Sequence, residues 1–324
     1  MAKKVSKIIS RVLGILVGVV AVILILFSVG ERVLFSSFYA KAEKEMKTPG
    51  VWDNFVQQGL DYVEEDGLYL TCGYMSKKTA SRVYVFDDKG KSRYVELQNA
   101  DGTPYMGHTG GIAHYGDNVY ITGSDGLDVF SLKDILEGSA AKMKGEVKTY
   151  NDPAYCHIYN GMIYVGSFYR AGNYETPESE RLTTPSGDKN MSIVTIFELS
   201  SDSQFGIKED VKCVYSTRGL VQGMCITPDS RLVLSTSYGL AASHLYVYDI
   251  NATSQGSYEI NGKTVPIYYF DSDNLVKTVK APPMSEELLY RDGKIYIMTE
   301  SASNKYIFGK VTTGRHIFAY KLDK

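Results

Sequence analysis

Tryptophan is all but missing: Trp52 is the only one among 324 residues, beside 26 Tyr and 12 Phe. Neither sign of charge is in excess. Thirty-five Lys and Arg face 37 Asp and Glu, a formal net charge of −2. No basic surplus is left to hold a phosphate backbone, so nucleic acid is excluded as a partner. Only four cysteines occur, Cys72, Cys156, Cys213 and Cys225. None sits in a CxxC or in the Cys/His spacing of a zinc site. They read as buried free thiols, with a single disulfide as the alternative, and spacing does not choose the pairing. Also missing are a GxSxG elbow, a Walker loop, HExxH, and a GxGxxG opening a helix after a strand.

One long apolar run is present. Val12 to Gly30 holds 19 residues without a charge, a helix of roughly 28 Å and close to the hydrocarbon thickness. Lys3, Lys4, Lys7 and Arg11 precede it, and positive charge stays cytoplasmic. The run predicts a single-pass membrane anchor with the rest of the chain extracytoplasmic. Its rival is a cleaved signal peptide, ending at Ser28-Val29-Gly30, with a secreted product. Residues 1–31 are then a cytoplasmic tip and anchor, residues 32–50 an amphipathic or flexible stalk, and residues 51–324 the folded domain.

That domain is Tyr-rich and Gly-rich, which leans all-β. The tyrosines suit either strand surface or a face that stacks on carbohydrate or peptide. A unit recurs five times, beginning near Gly59, Gly111, Pro153, Gly223 and Glu287. Each copy has a short strand, a polar turn such as Asp66-Gly67 or Asn160-Gly161, and a second strand. The second strand carries Tyr69, Tyr120, Tyr164, Val233 or Tyr296 at one place. A third, alternating strand follows, and a fourth fits between copies. Spacings of roughly 45–70 residues approach the period of propeller blades. The reading is a five-bladed β-propeller preceded by one transmembrane helix. The last copy lacks a fourth strand, and Val51–Gln57 is expected to supply it by pairing with His316–Leu322. Residues 168–191 read as a loop insertion, and residues 251–274 as a hairpin around Asn261-Gly262. Asn190-Met-Ser and Asn251-Ala-Thr match the glycosylation pattern, which has meaning in a eukaryotic secretory pathway.

In such a ring the first strand of each copy lines the axis. The residues leading into these strands are unusually polar, and Gln58, His108, Gln222, Glu286 and Glu300 are the candidate ligand-binding set at one channel mouth. They serve either as a ligand site or as groups that satisfy one another and water. Glu286 and Glu300 can share a proton, or hold a divalent cation with carbonyls and water. His108 suits a general base or a ligand. Glu286 matches Gln58 and Gln222 in register, so it should face the axis. Glu287 falls where Gly59 and Gly223 stand and needs a partner there. His157 reads as a core histidine, and His114, His244 and His316 as strand or turn surface.

The copies resemble blades of NHL- and YWTD-type propellers, with a short "GIA" strand before "DGxxYV". The stretch Val221–Ile250 is similar to the glutamine-binding blade of five-bladed glutaminyl cyclotransferases, through Gln222-Gly223 and Ser235-Thr236. That family's catalytic Glu precedes its Ser-Thr; Leu234 stands there. The wider HxGG…QG…EE…ES pattern resembles secreted bacterial propellers of unassigned activity, which implies fold and location. Two functions follow as expectations. One is a membrane-anchored binding module for a small molecule, peptide, glycan or envelope partner. The other is a hydrolase, lactonase or lyase with its site at the channel mouth.

Overall fold

Paired left-handed residues end several hairpins of the repeat. Asn160 and Gly161 have φ of 49° and 73°, and Asp292 and Gly293 have 51° and 75°. This is the type I′ geometry whose twist suits two-residue hairpins. The computed structural model describes residues 2–322; Met1, Asp323 and Lys324, at the outer ends of the expected segments, lie outside the described residues. The chain opens with α1 (Ala2–Leu34), α2 (Ser36–Tyr39) and β1 (Ala42–Lys47). Blade 1 is β2 (Phe55–Val63), β3 (Leu68–Met75), β4 (Arg82–Phe86) and β5 (Ser92–Gln98). Blade 2 is β6 (Ile112–Tyr115), β7 (Asn118–Thr122) and β8 (Gly126–Ser131), then α3 (Leu132–Glu137) and β9 (Ala140–Lys142), and finally β10 (Gly145–Lys148). Blade 3 is β11 (Pro153–Tyr159) and β12 (Met162–Ser167), the small hairpin β13 (Leu182–Thr183) and β14 (Lys189–Asn190), then β15 (Ser192–Leu199) and β16 (Ile207–Thr217). Blade 4 is β17 (Val221–Ile226), β18 (Arg231–Thr236) and β19 (Ser243–Asp249), the hairpin β20 (Ser254–Ile260) and β21 (Lys263–Tyr269), then β22 (Leu275–Ala281). Blade 5 is β23 (Ser285–Arg291), β24 (Lys294–Thr299), α4 (Phe308–Val311) and β25 (His316–Tyr320).

Five apolar cores, one between each pair of neighbouring blades, close the ring. The repeated second-strand residues Tyr69, Tyr120, Tyr164, Val233 and Tyr296 are all buried in them. A four-stranded sheet cannot bury two faces by itself, and stacking in a ring does so. The inserts of blades 2 and 4 add a second service. Strand β9 pairs in parallel with β5, and β21 pairs in parallel with β16, so each insert covers the outer edge of the preceding blade.

The ring closes differently from the expectation. Strand β1 pairs antiparallel with β25, from Ala42↔Tyr320 to Lys47↔His316. Val51–Gln57 does not join β25: Phe55 starts the innermost strand of blade 1, opposite Met75. The reason is burial. An outermost strand faces solvent along most of its length, and "AEKEMK" buries only Met46, so it carries no strand-like apolar pattern. Nor is there a loose stalk. Phe35 and Phe38 are buried in the core between blades 4 and 5, and Phe38 stacks on Tyr320 at 5.5 Å. All four cysteines are free thiols.

Candidate functional site

The innermost strands share one irregularity. Each of four has extra residues bulged out near its start, opposite a regular second strand. Gln58 is unpaired between Gln57↔Gly73 and Gly59↔Cys72. Ala154 and Gln222 occupy the same place in blades 3 and 4. In blade 5 both Glu286 and Glu287 fall between Ser285↔Thr299 and Leu288↔Ile297. A bulge frees a residue from the ladder and re-aims its side chain, and here it does so repeatedly around one mouth.

Two of these bulges meet one blade end. Gln58 donates from Nε2 to Glu300 Oε2 at 2.9 Å and to its neighbour Gln57 O at 2.9 Å. Gln57 donates to Thr299 O at 2.7 Å, locking blade 1 to blade 5. Glu286 is buried with Oε1 unpartnered. Burial, then the charges of Glu300 and Glu287, push its carboxyl well above the ordinary range. Burial also lifts Glu300, to about 7, against Gln58, Lys305 and Tyr306, which hold it down. Each carboxyl therefore disfavours ionisation of the other.

The aromatic wall beside it was not legible in the sequence. Lys305 donates to Tyr74 Oη at 2.5 Å, and its ammonium lies 4.9 Å from the ring centres of both Tyr74 and Tyr306. Tyr74 stacks on His108, ring centres 4.8 Å apart and planes 29° apart. His108 thus reaches the cluster only through Tyr74, and makes no hydrogen bond to either carboxyl. Desolvation at the crowded rim, then the Lys305 ammonium, keeps its pKa below the usual value. Gln222 occupies its bulge but makes no hydrogen bond to Gln58, Glu286 or Glu300. Lys305 and Tyr306 come from the irregular segment between β24 and β25, which bears no repeat signature.

Glu287 has a different role. The innermost strands approach so closely that a Cβ on Gly223 would stand 2.5 Å from Glu287 Cα, and one on Gly111 2.5 Å from Cys156 N. Glu287 leans into the space that Gly223 leaves and accepts from Met224 N at 3.0 Å and Leu288 N at 3.1 Å. It holds backbone donors at the axis instead of facing the mouth. Burial nonetheless pushes its carboxyl well up.

The remaining histidines separate cleanly. His157 accepts from Ile226 N at 3.4 Å, and burial lowers its pKa to about 4. It is half-buried between blades 3 and 4, short of the full core position expected. His114, expected at the surface, is half-buried and pairs with Asp61 at 2.6 Å across blades 1 and 2. Among the described residues no three His, Cys, Asp or Glu side chains are placed to hold a metal ion. Two carboxyls with an ammonium beside them make a poor cage for a divalent cation. Leu234, where cyclotransferases carry their Glu, is fully buried, and Ser235 Oγ is hydrogen-bonded to Ser285 Oγ at 2.8 Å.

No protein-family model and no curated protein matches this chain. Solved structures resemble it distantly. An oxidoreductase (glucose dehydrogenase) of Thermus thermophilus is 13% identical with a TM-score of 0.45, covering 87% of this chain and 99% of that one. The PQQ-bound aldose sugar dehydrogenase of Streptomyces coelicolor is 13% identical with a TM-score of 0.43, covering 86% and 98%. A gluconolactonase of Xanthomonas campestris is 11% identical with a TM-score of 0.39, covering 87% and 95%. At such identities and scores these likenesses carry nothing about what this chain binds.

Proposed function

We propose that the chain is a membrane-anchored, extracytoplasmic binding module that takes a glycan at the mouth of its channel. The anchor part rests on Ile9–Leu34, the one candidate span among the described residues, with a mean hydropathy of 3.2 over its most apolar window. The outward placement of the propeller rests on the Lys and Arg that precede it. The ligand reading rests on a single observation: blades 1, 2 and 5 bring Gln58, Tyr74, His108, Glu286 and Glu300 to one mouth. Glu286, whose protonated form burial favours, offers in that form a hydroxyl donor and an acceptor. Glu300, once ionised, accepts from two hydroxyls. The Tyr74–His108 stack gives a sugar ring an apolar face.

The test is a screen of soluble envelope oligosaccharides and peptides against the full chain in detergent micelles. An oligosaccharide should bind at least tenfold more weakly to Glu300→Gln and to Gln58→Ala, and more tightly to the wild type as pH rises through about 7. Hits that bind both variants as well as the wild type, or peptides alone as hits, contradict the reading. The raised carboxyl pair also suits acid–base chemistry, so each hit should be followed for turnover, which would favour the hydrolase, lactonase or lyase reading.

A further inference from the structure

The end of the long apolar helix packs into the propeller, which sets the face from which the helix leaves it. Helix α1 runs unbroken from Ala2 to Leu34. Its end is held in the protein: Phe35 lies in the core between blades 4 and 5, while Phe27 faces Phe308 of α4 with ring centres 6.4 Å apart. A groove of about 490 Å³ follows this contact, lined by Leu26, Phe27, Leu240, Met284 and Phe308. Leu240, Met284 and Phe308 lie in segments that leave a second strand or join two blades. In this topology those segments open on the same face as Gln58 and Glu300. Going from Phe35 back to Phe27 therefore leads out to the mouth-bearing face, and the helix continues beyond it. The residues from Ile9 to Leu26 then span roughly 27 Å, close to the hydrocarbon thickness of about 30 Å. No spacer is left between lipid and protein.

The surface agrees. Trp52, Met106, Tyr174, Leu240, Ile307 and Phe308 are exposed, Trp52 by 65% and Leu240 by 62%. All six belong to that same face. Lys310 lies 4.3 Å from the centre of the Trp52 ring, the pairing of aromatic body and basic tip found at membrane interfaces. The far face is of another kind. Its hairpin tips hold charges of both signs, Glu64, Glu65, Asp66, Asp87, Asp88, Lys89, Lys91 and Asp229 among them, and Val276, at the start of an outer strand, is a large apolar side chain exposed beside them.

We infer that the propeller lies with its mouth-bearing face on the bilayer, its exposed aromatic and aliphatic side chains in the interfacial zone. The channel mouth opens toward the headgroups, and molecules held at the membrane surface are the ones that reach Glu286 and Glu300. This rests on the anchor reading above. Trp52, the only tryptophan, reports on it directly. The full chain is reconstituted into phosphatidylcholine vesicles, with or without bromine on the acyl carbons nearest the headgroup. Trp52 emission should move to shorter wavelength than in detergent and fall at least twofold with brominated lipid. In the variant Trp52→Phe/Lys89→Trp, which moves the probe to the far face, emission should respond to aqueous iodide and not to bromine. Co-flotation of the chain with vesicles while Trp52 remains as open to iodide as the far-face probe, and unquenched by bromine, overturns the inference alone. A chain that does not float with vesicles overturns the anchor reading and this inference with it.

Discussion

Glu300 is a carboxyl whose charge changes near neutrality, and its effect on stability has a definite sign. Its folded pKa of about 7 lies above the ordinary glutamate value of about 4.3. Folding therefore favours the protonated form. Relative to an ordinary carboxylate, no stability is lost below about pH 4; it erodes as pH rises to about 7, and stays level above. Replacing Glu300 by Gln removes the titration and keeps an acceptor for Gln58. At pH 8 the variant should be more stable than the wild type by roughly 1–3 kcal/mol, and near pH 4 the two should coincide. Urea unfolding at both pH values measures this, and a variant less stable at pH 8 would mean that the ionised form is the one held. Burial and the neighbouring Glu300 charge favour the protonated form of Glu286, so Glu286→Gln, which keeps that form's shape, should alter stability less than Glu300→Gln does at pH 8. At this scale the sequence was readable where register spoke. Gln58 and Glu286 stood out because they precede equivalent strands. Tyr74, Lys305 and Tyr306 did not, since their meeting depends on how an irregular segment folds over a neighbouring blade.

The element that decides the integrity of the ring is β1, together with the turn of helix before it. Phe35, Phe38 and Met46 are buried, and losing buried side chains of this size costs about 2–5 kcal/mol each. Deleting residues 1–31 keeps all three and should leave a cooperatively unfolding, soluble propeller. Deleting residues 1–50 removes them and leaves β25 as a bare edge, a template for association. Its melting temperature should fall by at least about 15 °C relative to the shorter deletion, with aggregates visible by sedimentation. Equal melting temperatures for the two would show that β1 is dispensable. Hairpins were the most legible elements, since Asn-Gly and Asp-Gly turns mark them locally. The partner of β21 was not legible. Its parallel pairing with β16 joins residues some fifty positions apart, and no local pattern encodes such a pairing.

At the scale of the whole molecule, the five-fold recurrence was readable because each blade must present the same buried face to its neighbours. Where the ring closes was not, because closure uses the most solvated strand. The ring also explains why the candidate site lies at one end. Innermost strands pack tightly along the axis, as Gly111 and Gly223 show, and polar side chains gather at the bulged mouth. The most direct measurement is the protonation of that mouth, followed by the carboxyl stretch in infrared difference spectra of the full chain from pH 4 to 9. Several buried carboxyls should titrate above the ordinary range, Glu300 and Glu180 near pH 7, with Glu286 and Glu287 also raised by burial. Glu300→Gln should remove the Glu300 share of the step near pH 7, leaving that of Glu180, and should lower the titration of Glu286, because the Glu300 charge helps to raise it. Titration of Glu286 and Glu300 near pH 4, or a Glu286 band unmoved by Glu300→Gln, would show that no proton-sharing cluster exists at the mouth.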